Sequence, residues 1–357
     1  MIGATVIFVD WAPTEHKRDI HSGGSIRRHY AWTALNKSVS EVVPFRKKDG
    51  SINWKAVIMM FEKDSVIWVE YGCGGVAHFF VLLSSASFTR FKKIILNIHD
   101  FAIQQRRDFD KEMPFLKKIR IRVFEWLLLH RANVIIFAWP RFLDYFTPKR
   151  GQKILIMVPG VDEDELSVPS SNNIEKGKKV ALYFGSMRRK DAIPKIIELF
   201  SELKEWELHL IGLKEGEEII EKENVKYLGA VNHDKLSDIL SNADVALIPL
   251  PKNAYLDKSI PIKLGYVLKS CKPVIATRLK GISEYVSMVG LEENVIYVEE
   301  WNLDSLKEAL QKAQNLNIDA AKTIEKLRSL AWEPRFEKTI EIALDSSKKT
   351  YKRVEWL

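Results

Sequence analysis

The chain is poor in cysteine, with two in 357 residues, and Cys73 and Cys271 stand far apart in no metal or redox spacing. That excludes a disulfide framework and a thiolate metal site, and it suits a reducing, cytoplasmic setting. Long hydrophobic runs are missing too. "EWLLLH" and "VIIFAW" are too short and too close to charge to supply the roughly 20 apolar residues of a bilayer crossing. No basic segment precedes the apolar start "MIGATVIFVDW", and Asp10 comes early, so this stretch reads as a strand and not as a signal peptide. Acid is not in excess: 55 Lys and Arg stand against 47 Asp and Glu, a formal net charge of +8. That balance favours anionic partners, whether phosphates, nucleic acid or acidic lipid surfaces. Internal repeats and low-complexity tracts are also absent.

What is present is an ordinary globular composition, 46% hydrophobic and 29% charged, on a chain long enough for two cores. Short apolar, β-branched runs recur: "ATVIFVD", "SVIWVEY", "KIILNIH", "NVIIFAW" and "KILIMVP", then "KVALYFG", "WELHLIG", "VKYLGAV", "DVALIPL", "PVIAT" and "NVIYVEE". Runs of this length alternating with helix-length segments imply parallel strands covered on both faces, an α/β, doubly wound architecture. The one sustained polar and turn-rich stretch, "SVPSSNNIEKGKK" at 167–179, divides the two sets of strands and reads as a linker. After the last strand, helical periodicity runs to the end of the chain.

In a doubly wound sheet, ligands gather at the carboxyl ends of the strands, where helix N-termini point free N–H groups outward. "ALYFG" ends at Gly185 and continues "SMRRKDAIPKIIELF". A glycine allowing close backbone approach, followed by Arg188, Arg189 and Lys190 and a helix start, reads as a diphosphate cradle or as a basic first turn facing water. "HSGGS" places Gly23 and Gly24 before a helical stretch, either to let a ligand near the backbone or as a plain loop. "LNIHD" ends a strand with His99 and Asp100, where an imidazole can exchange a proton with a hydroxyl or serve packing alone. "DFD" (108–110) and "VDEDEL" (161–166) read as solvated charged segments and not as metal sites. In "PFLKKIRIRVFEWLLLHRANVIIFAW", Leu116, Ile119, Val123, Trp126 and Leu127 share one helix face. That face suits core packing, or a basic, aromatic-rimmed surface for anionic lipid.

These motifs, in this order, resemble GT-B glycosyltransferases, especially glycosyltransferase family 4, over most of the chain. The likeness rests on Gly23-Gly24, His99-Asp100, "PGVD" at 159–162, Gly185 with Lys190, "LGAV", "ADVALIPL", the proline-lysine segment "PIKLGYVLKSCKPVIAT" and Glu284 in "GISEYV". It implies two Rossmann-like domains facing a cleft: an acceptor-binding domain at 1–166, a linker at 167–179 and a nucleotide-sugar-binding domain at 180–334. A C-terminal helix at 335–357 would pack back on the first domain. It also implies a retaining, metal-independent transfer from a nucleotide diphosphate sugar, such as a UDP- or GDP-sugar, with no further cofactor. The acceptor would be a glycan, a lipid-linked hydroxyl or a protein, and peripheral contact with an anionic membrane is compatible.

Carried over by residue, the resemblance gives His99 and Asp100 catalytic or transition-state contact. It gives the donor Gly185, Ser186, Arg188, Arg189, Lys190, Lys263, Tyr266 and Glu284, and the acceptor Gly23 and Gly24. The sequence departs from the family where donor binding is expected. Tyr266 stands in place of a glutamate, Cys271 in place of a glycine, and Lys258, beside Asp257, in place of a second acid. A carboxylate accepting two ribose hydroxyls contributes roughly 1.5–3 kcal/mol, so its loss weakens the donor about tenfold to a hundredfold without abolishing the chemistry. The alternative is a GT-B scaffold that binds a nucleotide or a partner and transfers nothing. Nucleic-acid binding finds no recognised module.

Overall fold

A computed structural model describes residues 2–10, 23–62, 64–71, 75–86, 93–100, 114–166, 177–185, 192–212, 222–231, 233–345 and 354–357. Contacts divide the chain into two compact units, Met1–Val158 with Trp332–Leu357, and Pro159–Ala331. Residues 167–176 of the expected linker lie outside the described residues. The division falls at Val158/Pro159, earlier than the sequence reading placed it, and "PGVD" packs with the second unit.

In the first unit the order is β1 (Ile2–Val9), α1 (Gly23–Ser38), β2 (Val39–Pro44), α2 (Trp54–Met60), β3 (Val66–Glu70) and α3 (Gly75–Ala86). It continues with β4 (Lys93–Ile98), α4 (Phe115–Arg131), β5 (Val134–Phe137) and β6 (Lys153–Ile156). The second unit holds β7 (Lys179–Phe184), α5 (Ala192–Ser201), β8 (Trp206–Ile211), β9 (Val225–Gly229), α6 (His233–Ser241) and β10 (Val245–Ile248). There follow α7 (Lys263–Lys269), β11 (Val274–Thr277), α8 (Lys280–Val289), β12 (Val295–Val298), α9 (Leu303–Gln314) and α10 (Ala320–Arg328). The chain then returns to the first unit as α11 (Trp332–Leu344) and β13 (Val354–Trp356).

The first sheet has the order β13-β6-β5-β4-β3-β1-β2 and the second β12-β11-β10-β7-β8-β9. Every strand pair is parallel. Helices on both faces keep the central strands dry, which is why they read as unbroken apolar runs. Val6, Val9, Ile67, Val69, Ile95, Leu96, Ile135 and Phe137 are each at most 1% exposed. Around Phe200, Leu208, Val245, Leu247 and Leu306 the second unit builds its own core. Each such side chain contributes about 1.5–3 kcal/mol against leaving it in water. Two helices of this unit start on side-chain caps, Asn302 accepting from Ser305 N (2.9 Å) and Asp319 from Lys322 N (3.0 Å), which satisfies an otherwise orphaned N–H. Both units are doubly wound parallel sheets, as the strand pattern predicts.

Three local readings differ: β2, "VSEVVP" with two exposed positions, is a strand that no apolar run marks, and two more lie at the chain end and on α4. The chain end is not helical throughout: α11 packs on α1, but Val354–Trp356 lies parallel to β6, with Val354 opposite Ile154 and Trp356 opposite Ile156. Three residues are too few to reveal a strand by alternation, and what fixes them is the open edge of β6. On α4, Leu116, Ile119, Val123 and Trp126 do not pack in the core, being 79%, 42%, 49% and 57% exposed. The buried residues of this helix are Leu128 and Leu129, so its periodicity marks a face that none of the described residues of the first unit covers. No helix among the described residues is long and apolar enough to cross a membrane.

Candidate functional site

The carboxyl end of the first sheet carries a buried polar network. Glu70 ends β3 directly opposite Asn97 of β4, and both side chains are sealed from solvent. Glu70 accepts from Trp68 Nε1 at 2.6 Å, from Asn97 Nδ2 at 3.0 Å and from His99 Nε2 at 2.6 Å. Three donors on one carboxylate outweigh the cost of burial and hold its pKa below the ordinary 4.5. Asn97 Oδ1 in turn accepts from Arg27 Nε (3.2 Å) and Nη2 (3.1 Å), while Arg27 Nη1 donates to Met157 O at 2.6 Å. Burial pushes the Arg27 pKa down to about 9, partly offset by the field of Glu70. Thus a buried cation and a buried anion are joined through one amide. Arg28, next on α1, lies 3.2 Å from Asp10 at the end of β1.

His99 is the least buried of the three strand-end groups in this network, behind Glu70 and Asn97. Its side chain is 12% exposed, and burial lowers its pKa below 6.5 despite the pull of Glu70, so it is neutral at pH 7. With Glu70 ionised, Nε2 carries the hydrogen it donates, which leaves a lone pair on Nδ1. Nδ1 is buried and has no hydrogen-bond partner among the described residues. An unmet buried acceptor costs about 1–3 kcal/mol, which a substrate hydroxyl donating to it would recover. Asp100 follows His99 and is half-buried. Gly23 and Gly24 form the first turn of α1, the helix that brings in Arg27 and Arg28.

In the second unit, Gly185 and Lys263 come together although 78 positions apart. Lys263, at the start of α7, donates from Nζ to Phe184 O at 3.2 Å and lies 4.0 Å over the ring of Tyr183. Gly185 has φ +144°, and a Cβ there would sit 3.2 Å from Nζ. Beside it Gly212, φ +149°, ends β8 so close that a Cβ would fall 1.8 Å from Gly185 O. Only glycines allow this contact. The ends of β7 and β8 therefore present bare backbone with an ammonium at its side, an arrangement suited to an anionic group. Ser186, Arg188, Arg189 and Lys190 lie outside the described residues.

Tyr266 is 2% exposed, and its hydroxyl donates to Asp162 Oδ1 at 3.1 Å. Asp162 belongs to "PGVD", whose Pro159 carbonyl accepts from Tyr285 at 3.0 Å, so the segment is tied to α7 and α8. Glu284 is exposed on α8. The charged segment after Val161 begins as a single 3-10 turn, Glu163–Glu165; "DFD" lies outside the described residues. No cluster of three His, Cys, Asp or Glu able to hold a metal occurs among the described residues. Sequence reasoning missed Glu70, Asn97 and Arg27. A strand-end acid such as that in "WVEY" has no motif, and only the alignment of β3 with β4 reveals its partners.

A model of the family described as glycosyl transferases group 1 matches residues 178–315. No curated protein matches the chain by sequence. Among solved structures, sucrose-phosphate synthase from Thermosynechococcus elongatus is similar at TM-score 0.69 and 13% identity, over 95% of this chain and 98% of that one. A glycosyltransferase from Rickettsia africae is similar at TM-score 0.61 and 13% identity, over 98% and 100%. WaaG, a glycosyltransferase involved in lipopolysaccharide biosynthesis, is similar at TM-score 0.59 and 14% identity, over 96% and 100%. At these identities the likeness speaks for the fold, which is GT-B, while the family match falls on the part that holds Gly185, Gly212 and Lys263.

Proposed function

We propose that this protein, a glycosyltransferase of GT-B fold with a group 1 domain at 178–315, moves a sugar from a nucleoside diphosphate to an acceptor hydroxyl. The transfer retains anomeric configuration, and protein cations take the place of an essential metal and of any other cofactor. The observation that carries this reading is the ammonium of Lys263 at the bare strand end formed by Gly185 and Gly212. There an anionic leaving group meets fixed positive charge where its own charge develops. Ser186, Arg188, Arg189 and Lys190 follow Gly185 in sequence and complete the set of donor contacts in this reading.

The bond from the anomeric carbon to the diphosphate oxygen breaks as the bond to the acceptor oxygen forms. The departing phosphate oxygen takes the acceptor's proton when attack comes from the face it leaves. His99 accepts a hydrogen bond from a substrate hydroxyl at Nδ1, and Glu70, accepting from Nε2, holds the ring in the tautomer that leaves Nδ1 free to do so. Gly23 and Gly24 open α1 beside the acceptor, and Asp100 adds a second polar group. Tyr266 serves the donor side by tying α7 to "PGVD" through Asp162, and Glu284, exposed on α8, contacts the donor. A cytoplasmic setting fits the cysteine usage, and a glycan, lipid-linked or protein hydroxyl fits the acceptor.

The test is release of nucleoside diphosphate over a panel of UDP- and GDP-sugars in the presence of EDTA, with the product's anomeric configuration read by NMR. Turnover that survives EDTA, with retained configuration, is expected. Lys263→Met should weaken UDP or GDP binding about tenfold to a hundredfold, the effect of a lost charge-assisted contact. Binding without release across the panel makes the protein a nucleotide-binding scaffold. Unchanged affinity in Lys263→Met removes the cradle.

A further inference from the structure

Three helices on one side of the first sheet leave apolar stripes uncovered. α3 packs against both α2 and α4, so their exposed positions form one continuous surface. On α4, Leu116 and Trp126 are 79% and 57% exposed, and with Ile119 and Val123 they follow helical spacing. On α3 the exposed positions are Val76, Phe79 and Leu83; on α2 they are Trp54 and Ile58. A patch of this extent on a folded protein marks an interaction surface.

Charge decides the occupant. Lys117, Lys118, Arg120 and Arg122 alternate with the apolar positions in the first half of α4, and Glu125 is the helix's one acid. That carboxyl is part-buried and takes a hydrogen bond from Tyr71, so one acid stands against Lys117, Lys118, Arg120 and Arg122. A second copy of the chain meeting this face in a two-fold interface would bring the same cations against one another. An anionic lipid surface complements them, and an amphipathic helix with basic residues among exposed leucine and tryptophan lies in such an interface. Tyr71 directly follows Glu70, so the Tyr71–Glu125 contact places α4 beside the His99–Glu70 edge.

We propose that the α2–α3–α4 face docks on the surface of an anionic bilayer, with α4 lying in the headgroup region next to His99. Docking stands by itself; that the acceptor hydroxyl is carried by a lipid rests on the transfer reaction proposed above.

The experiment is co-sedimentation of the full chain with phosphatidylcholine vesicles, with and without phosphatidylglycerol. Binding is expected with phosphatidylglycerol, weakening with salt, and little is expected without it. Changing Lys117, Lys118, Arg120 and Arg122 together to Ser should lower partitioning on the order of a hundredfold or more. Leu116→Glu with Trp126→Ser should abolish it. Circular dichroism should be unchanged in both, since these residues support no core. No binding to phosphatidylglycerol vesicles, or equal binding by both variants, overturns the proposal. So does a lipid-free dimer that Leu116→Glu disperses in a chain that does not bind vesicles, because the face then belongs to a second copy. A preparation that binds vesicles but transfers no sugar from any donor counts against the reaction and leaves docking intact.

Discussion

Replacing Glu70 by Gln keeps the volume at the centre of the buried network and removes its charge. Wild-type Glu70 accepts from Trp68, Asn97 and His99 and supplies the anion that Arg27 reaches through Asn97. The glutamine can still accept from one donor and can give a hydrogen bond to His99 Nε2. Two costs remain: a buried guanidinium without its counter-charge and a carboxylate-strength hydrogen bond reduced to a neutral one. Breaking a buried pair outright costs about 3–5 kcal/mol, and weakening one charged hydrogen bond about 1.5–3. With part of the bonding kept, we expect a loss of about 2–4 kcal/mol, or a Tm lower by roughly 5–15 °C.

The pH dependence fixes the cause. Glu70 in the folded protein has a pKa below its ordinary 4.5, so its contribution is fully present above pH 4.5 and is lost as pH falls through the lower folded value. The stability gap between wild type and Glu70→Gln, read by urea unfolding, should be full at pH 7 and close below pH 4.5. The amide N–H facing Nε2 also moves the imidazole hydrogen to Nδ1, a change that ¹⁵N NMR reads directly, and kcat should fall while the donor Kd holds. Equal stability at pH 7, a gap that stays constant into acid, or an unchanged tautomer would refute the account of this network.

Gly212→Ala sets a Cβ 1.8 Å from Gly185 O at a φ of +149°, so it should cost at least about 2 kcal/mol in unfolding and weaken UDP or GDP binding; a variant with wild-type Tm and affinity would disprove the contact. Tyr266→Glu places a second carboxylate against Asp162, with the two positions 2% and 1% exposed. It should destabilise the second unit by about 3–5 kcal/mol, whereas Tyr266→Phe should cost about 1–2; tighter donor binding by the glutamate variant would put Tyr266 at the sugar nucleotide instead. His78, buried and stacked on Tyr71 at 5.9 Å, is pushed down to about 4 by desolvation. Being neutral when folded, it stabilises above pH 6.5 and progressively less down to pH 4, so His78→Phe should lose about 3 kcal/mol less than wild type between pH 7 and pH 4. Identical acid profiles would show that His78 does not titrate as buried.

Legibility from the sequence tracks how local the determining physics is. The eleven apolar runs that mark strands are all found as strands; the central ones are apolar along their whole length because both faces are covered, while the edge strand β9 alternates in burial. β13 escaped because its cause lies in β6, about 200 positions away and on the other side of an entire domain. The stripe on α4 was visible as a period of exposed or buried apolar residues, but periodicity states that a helix has a face and not what covers it. At the site the same division holds. His99 was legible because a polar residue right after an apolar strand marks the carboxyl edge, and Lys263 because it stands in a motif with fixed spacing. Glu70 has neither sign. Parallel neighbours joined by one helix end near a common edge, which brings the acid of "SVIWVEY" and the asparagine of "KIILNIH" to the same end of the sheet, but the pairing itself is set by the register. With Glu70 opposite Asn97, His99, two residues past Asn97, has a carboxylate within reach on the adjoining strand.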